Sequence, residues 1–136
     1  MHRIMDDELA LTIRDAAART GLSPHTLRYY ERIGLLGRVP RASSGHRRYG
    51  ERELRMIDFL RKLQATGMPI RDMLRYAALV RRGDDTRPAR RALLEQHEAR
   101  VQARLDELAG NLAIIRKKIA MYGEATTTKK KGTKTR

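Results

Sequence analysis

Cysteine is absent from this chain of 136 residues. That excludes disulfides, thiolate metal sites, iron–sulfur clusters and a cysteine nucleophile. Tryptophan is absent too, phenylalanine occurs once, and aromatics make up 4% of the chain. So little bulky apolar material suits a small helical core of Leu, Ile, Met and Ala rather than a β-sandwich. No apolar run approaches the roughly 18 residues of a membrane-spanning helix. The start, Met1-His2-Arg3-Ile4-Met5-Asp6-Asp7-Glu8, lacks the apolar stretch of a secretory leader, so the expected compartment is cytoplasmic. Acidic residues are scarce: 16 Asp and Glu stand against 30 Lys and Arg, for a net charge of +14. An excess of that size implies a polyanionic partner, nucleic acid before an anionic membrane surface. The length allows one domain and one appended element.

Four regions are expected. Residues 1–10 form a flexible lead, 11–83 a compact helical domain, 84–123 a long helix, and 124–136 a disordered tail of Thr, Lys and Gly. The tail reads equally as a solubilising segment or as a phosphate-binding arm. Leu9 to Ile13 leads in, as a short strand or a plain approach, and a first helix covers Arg14 to Thr20, ended by Gly21. Ser23 then caps a second helix whose first position is Pro24, and Gly34 stops it after Ile33. Two short helices joined by Thr20-Gly21-Leu22-Ser23 have the layout of a helix-turn-helix. Residues 37–50 read as a small two-stranded hairpin with a Ser43-Ser44-Gly45 tip. A third helix spans Glu51 to Thr66, with Leu54, Ile57, Phe59, Leu60 and Leu63 as its apolar set. A fourth spans Pro69 to Arg82, with Ile70, Met73, Leu74, Ala77 and Leu79 or Val80 inward. The last is expected from Arg87 to Tyr122, about 50 Å long at 1.5 Å per residue.

That last helix carries Val101, Leu105, Leu108, Leu112, Ile115, Ile119 and Tyr122 at alternating steps of four and three. This is a heptad seam. A seam longer than its own small domain can cover needs a partner, and a second copy of the chain supplies one. The expected assembly is a homodimer.

The second helix divides into two faces. Leu27, Tyr30 and Ile33 form an apolar one, while His25, Arg28, Tyr29 and Arg32 line another at i, i+3, i+4 and i+7. Arginine presents a donor pair that matches guanine N7 and O6, and also phosphate. Tyr29 adds a flat apolar surface and a hydroxyl. A helix of this kind fits the major groove of double-stranded DNA. The hairpin adds Arg41, His46, Arg47 and Arg48, with Tyr49 expected to pack inward. Thr66-Gly67-Met68-Pro69 offers the free N–H groups of the fourth helix to phosphate. Arg71 lies in that first turn, where the helix dipole disfavours a cation unless phosphate is present.

These residues carry a resemblance. Leu11-Thr12-Ile13, the Thr20–Ser23 turn, and Thr26-Leu27-Arg28-Tyr29-Tyr30-Glu31-Arg32-Ile33-Gly34-Leu35-Leu36 resemble the winged helix-turn-helix of the MerR family of bacterial transcription regulators. Gly45-His46-Arg47-Arg48-Tyr49 is similar to that family's wing, where Tyr or Ile is commoner at the place of His46. Leu63-Gln64-Ala65-Thr66-Gly67-Met68-Pro69-Ile70 resembles the start of its second wing, and the last helix its antiparallel dimerisation helix. The implied fold is mainly α: a winged helix-turn-helix domain followed by a coiled-coil helix. The implied function is a homodimer on a near-palindromic promoter operator, which it bends and untwists so that RNA polymerase engages both promoter elements. Such deformation costs a few kcal/mol. The implied setting is the bacterial cytoplasm, at the nucleoid. Arg28 and Tyr29 would then contact DNA from the recognition helix and Arg47 and Arg48 from the wing, with Thr12, Lys62 and Arg71 as backbone-phosphate candidates. Ser23, His25, Arg32 and Arg41 complete the expected DNA-binding set.

The chain departs from the family where signals are sensed. Without cysteine, thiolate metal sensing, iron–sulfur sensing and thiol-based aldehyde sensing are excluded. His2, His25, His46 and His97 are too scattered for a histidine metal site, and His97 is expected on the coiled-coil surface. Drug-sensing relatives carry a large C-terminal effector domain, whereas a polar tail follows Tyr122 here. A small organic effector between the fourth and last helices stays open, as does no effector. No metal or cofactor is expected. Nor is an enzyme: there are no suitably spaced paired carboxylates, no nucleophile–base arrangement and no phosphate-cradling Gly-rich loop. Asp6-Asp7-Glu8 and Asp84-Asp85 read as loop and capping charges. The competing function is an architectural DNA-binding protein, nucleoid or excisionase-like, without promoter control.

Overall fold

The computed structural model of the chain describes the backbone of residues 10–134 and the side chains of residues 10–124. The expected lead over 1–10 therefore falls outside the described residues except for Ala10, as do the tail side chains beyond Glu124. Among the described residues five α-helices follow one another: α1 (Ile13–Thr20), α2 (Pro24–Ile33), α3 (Glu51–Ala65), α4 (Ile70–Arg82) and α5 (Arg87–Lys134). A single 3₁₀ turn, Asp84–Thr86, precedes α5. The chain divides into two compact units, Met1–Gln96 and His97–Arg136.

Local chemistry sets most helix ends. The Thr12 hydroxyl accepts from the Asp15 N–H at 3.2 Å and opens α1. Gly21 closes it with φ of 77°, a left-handed geometry that side chains resist, and its N–H donates to Ala17 O. The Ser23 hydroxyl accepts from the Thr26 N–H at 3.1 Å, and Pro24 sits where its missing N–H costs nothing. The Glu53 carboxylate accepts from the Gly50 N–H at 3.0 Å at the start of α3. Past α4, the buried Thr86 hydroxyl lies 2.6 Å from Leu79 O and 2.7 Å from Gly83 O, and so fastens the 3₁₀ turn to the helix before it.

The first unit holds two apolar clusters. Ala16 and Ala17 of α1, Leu27 of α2, Val39 and Tyr49 of the hairpin, and Leu54 and Ile57 of α3 make the first. Tyr30, Leu35, Leu60, Leu63, Met68 and Met73 make the second, and the half-buried Leu22 and Leu36 touch both. Leu93 and Leu94 of α5 pack on the second cluster, so this unit reaches Gln96 rather than stopping near Gly83. Ile70, expected inward, is 48% exposed; Met68, just before α4, closes that end of the core instead.

The hairpin forms more sparingly than expected. Among the described residues it has no strand, only isolated antiparallel bridges between Arg41 and Arg47 and between Leu11 and Tyr49. Pro40 has no N–H for a ladder, and the arm is too short to extend one.

In the second unit, α5 continues past the expected end at Tyr122 to Lys134. No proline follows Gly123, and lysine is a good helix former. Leu105, Leu108, Leu112, Ile115, Ile119 and Tyr122 all stand exposed along it, Leu112 the least at 43%. Val101 is half-buried. His97, expected on the surface, is buried.

Candidate nucleic-acid interface

The second helix is fixed by what it buries. Leu27 is fully enclosed, and the Tyr30 hydroxyl donates to Gln64 Oε1 of α3 at 2.9 Å. Arg61 of α3 donates a guanidinium N–H to the Thr20 carbonyl, so α3 also holds the turn between α1 and α2. With that side committed to the core, His25, Arg28, Tyr29 and Arg32 all point to solvent. The Arg32 guanidinium lies 5.5 Å from the centre of the Tyr29 ring. This cation–π contact holds two long side chains in one row.

The hairpin is tied to the same helix through a residue that the sequence reading passed over. Glu31 projects from α2 and accepts from the Val39 N–H at 2.8 Å through Oε2. Its Oε1 accepts from Arg47 Nε at 2.5 Å and lies 4.0 Å from Arg41 Nη2. Burial by itself would push this carboxyl up. The Arg47 and Val39 hydrogen bonds, with the charges of Arg47 and Arg41, outweigh that and hold it below its ordinary value of 4.5. A signal for it was available: Glu31 is the single acidic residue between Asp15 and Glu51, among seven arginines.

Tyr49 packs inward as expected, fully buried, and its bridge to Leu11 uses two hydrogen bonds of 2.7 Å. Burial raises its phenol above the ordinary value. Arg47, Arg28 and Arg41 act against that rise and Glu31 adds to it. Alternation along the arm puts Arg47 on the Tyr49 side, half-buried and paired. His46 is exposed and Arg48 half-buried. Arg41 Nη1 donates back to Gly45 O at 3.1 Å across the tip. Thr12, Ser23, Lys62 and Arg71 are all exposed, and the first two also cap helices.

A capped helix-turn-helix with an exposed, arginine-bearing second helix and a cationic hairpin clamped to it defines a helix-turn-helix DNA-binding protein. Residues 11–78 match the MerR HTH family regulatory protein group. The chain belongs to the MerR family. It is 35% identical over 117 residues to an HTH-type transcriptional regulator of Haemophilus influenzae, covering 86% of this chain and 87% of that one. It is 36% identical over 91 residues to the HTH-type transcriptional regulator AdhR of Bacillus subtilis, covering 67% and 65%. Among solved structures, a MerR family regulator from Listeria monocytogenes superposes with a TM-score of 0.79 at 37% identity, covering 83% of this chain and 86% of that one. HiNmlR, a MerR family regulator lacking the sensor domain and bound to promoter DNA, superposes with a TM-score of 0.76 at 35% identity, covering 87% and 94%.

Replacing Glu31 by Gln tests the clamp. A carboxylate held below its ordinary value stabilises the fold fully above pH 4.5, and that contribution disappears as pH falls through the lowered value. Urea unfolding at pH 7 should find Glu31→Gln less stable by about 1–3 kcal/mol. The gap should close toward pH 3. An equal gap at both pH values would show that the charge is not what holds the hairpin.

Proposed function

We propose that this MerR-family transcription regulator acts as a homodimer on a near-palindromic operator in promoter DNA, which it bends and untwists to control access of RNA polymerase. The observation that carries this reading is the outward row of His25, Arg28, Tyr29 and Arg32 on a helix locked to the core by Leu27 and Tyr30. In this assignment Arg28 and Tyr29 read base edges from the major groove. Arg32, His25, Ser23 and Thr12 flank them on the backbone. Arg41, Arg47 and Arg48 serve the hairpin's contact, and Lys62 and Arg71 meet phosphate near the start of α4. In this assignment the first unit, through Gln96, reads DNA, and α5 beyond it dimerises along the seam from Val101 to Tyr122.

Dimerisation is supported by the exposed seam on α5. A Leu or Ile side chain left in water forgoes about 1.5–3 kcal/mol of burial, and five do so here in heptad register, with Tyr122 next in the series. A two-fold dimer presents two recognition helices about one DNA turn apart, which a palindrome matches. Promoter control, rather than an architectural role, is supported by relatives named as transcription regulators, one of them captured on promoter DNA. The work required is binding and deformation, with no covalent step, so no catalytic residue is assigned.

Two measurements test these assignments. In sedimentation equilibrium the chain should run as a dimer, and Leu108→Glu combined with Leu112→Glu should run as a monomer; a wild-type monomer would end the dimer reading. For DNA, an operator is first selected from random duplexes. Arg28→Ala and Tyr29→Ala should then each weaken operator binding by about 1–3 kcal/mol, with random duplex much less affected. Equal losses on both duplexes would make these residues phosphate contacts rather than base readers.

A further inference from the structure

The first unit contains a cleft of about 700 Å3 that the DNA-binding reading does not use. That lies within the range of sites for drug-sized ligands, about 300–1,000 Å3. Four segments border it: the chain leaving α2, the N-terminal half of α3, the C-terminal half of α4 and the first turn of α5. Its floor is apolar, made by Leu36, Met56, Phe59, Tyr76 and Val80. The Phe59 and Tyr76 rings meet at 5.4 Å between centres, tilted by 52°. Such a tilted pair presents two polarisable ring surfaces at an angle, either of which can take a flat ring.

The rim is cationic. Arg38, Arg52, Arg55, Arg81 and Arg90 line the cleft against two carboxylates, Glu51 and Glu53. Both carboxylates have other partners: Glu51 pairs with Arg55 at 3.3 Å, and Glu53 accepts from the Gly50 N–H. Arg81 gives one N–H to Gly34 O at 2.6 Å. Among the described residues Arg38 and Arg52 have no carboxylate partner. Arg90 gives Nη2 to Gly83 O at 3.1 Å and pairs with Asp84 Oδ1 at 3.8 Å, while its Nε is buried with no hydrogen-bond partner among the described residues. Burial keeps the Tyr76 phenol above its ordinary value even though the Arg90 charge pulls it down, so it stays a hydrogen-bond donor at neutral pH. A guanidinium N–H left unpaired in low dielectric is a standing demand for an acceptor.

We propose that this cleft binds a small aromatic carboxylate, its ring on the Phe59–Tyr76 floor and its carboxylate held by Arg90 and the rim guanidiniums. The charge complement selects an anion, and the ring pair selects a flat apolar body. An inorganic ion would leave the floor wet, and a neutral aromatic would leave the positive charge of the rim unanswered.

The test is calorimetric titration of the full chain, without DNA, so its outcome does not depend on the operator reading. The probe is 1-naphthoate, with 1-naphthamide as its neutral counterpart and inorganic phosphate as the bare anion. One naphthoate should bind per chain with a Kd below about 1 mM. The amide and phosphate should each bind about tenfold more weakly or worse. Arg90→Gln should lower naphthoate affinity about tenfold, and Arg75→Gln, outside the cleft, should leave it unchanged. Should Arg90→Gln unfold, the exposed pair Arg38→Gln with Arg52→Gln provides the reading, with an expected loss of about threefold or more. Three results would overturn the proposal: no saturable naphthoate binding, equal binding of acid and amide, or affinity unaltered by the rim substitutions. Affinity that falls as protein concentration rises through dimerisation would make a second copy of the chain the occupant, and would also overturn it.

Discussion

Glu31 belongs to α2, yet both its oxygens serve the hairpin. One holds the Val39 N–H and the other the Arg47 guanidinium, with Arg41 at the edge of range. Three elements meet at that carboxylate: α2, the chain leaving it, and the arm returning toward α3. Val39 and Tyr49, on either side of the hairpin, are both fully buried in the cluster that also encloses Leu27. The apolar packing positions the hairpin base, and the carboxylate sets the angle at which its cationic arm leaves the helix. Seven arginines lie between Asp15 and Glu51. Glu31 answers the charge of two of them, Arg47 and Arg41, where the hairpin meets α2. Glu31 makes a cationic surface compatible with a compact one.

The same economy of apolar material explains how the molecule is divided. Little large aromatic bulk is available, so the core closes over Leu, Ile, Met and Ala and is completed by Tyr30 and Tyr49. Leu93 and Leu94 are the last α5 residues drawn into it. Past them, the leucines and isoleucines of α5 are presented to solvent at heptad spacing. The first unit is thus sealed locally, while the seam on α5 stands open, which is the feature the proposed homodimer rests on.

Much of this was legible in the residues because short-range chemistry decides it. Thr20-Gly21-Leu22-Ser23-Pro24 names a left-handed stop, a hydroxyl cap and a first-turn proline within five positions, and α1 and α2 end and begin there. Period three-to-four spacing likewise placed Leu54, Ile57, Leu60 and Leu63 on the buried side of α3. Contacts between residues distant in sequence were not legible. Arg47 reads as one more wing cation until Glu31, sixteen residues earlier, is seen to hold it. Arg61 reads as a helix-surface charge until it meets the Thr20 carbonyl, and His97 as a coiled-coil surface residue until it is found buried. The cleft floored by Phe59 and Tyr76 draws on four separated segments, which no local pattern announces. Hairpin pairing was overestimated because alternation predicts side-chain direction, whereas a ladder needs length and donors that Pro40 and a short arm do not supply.

On the proposed reading, Glu31 serves DNA recognition by positioning and never by contact. Simple electrostatics offers the opposite expectation. Removing a negative charge from a surface that approaches phosphate should strengthen binding to every duplex. The decisive measurement is the affinity of Glu31→Gln for a selected operator and for random duplex, at one fixed salt concentration. Operator affinity should fall by about tenfold, with random-duplex affinity equal to or above that of the unaltered chain. Operator affinity that rose in step with random-duplex affinity would contradict it, and would reduce the clamp to a charge that happens to lie near the wing.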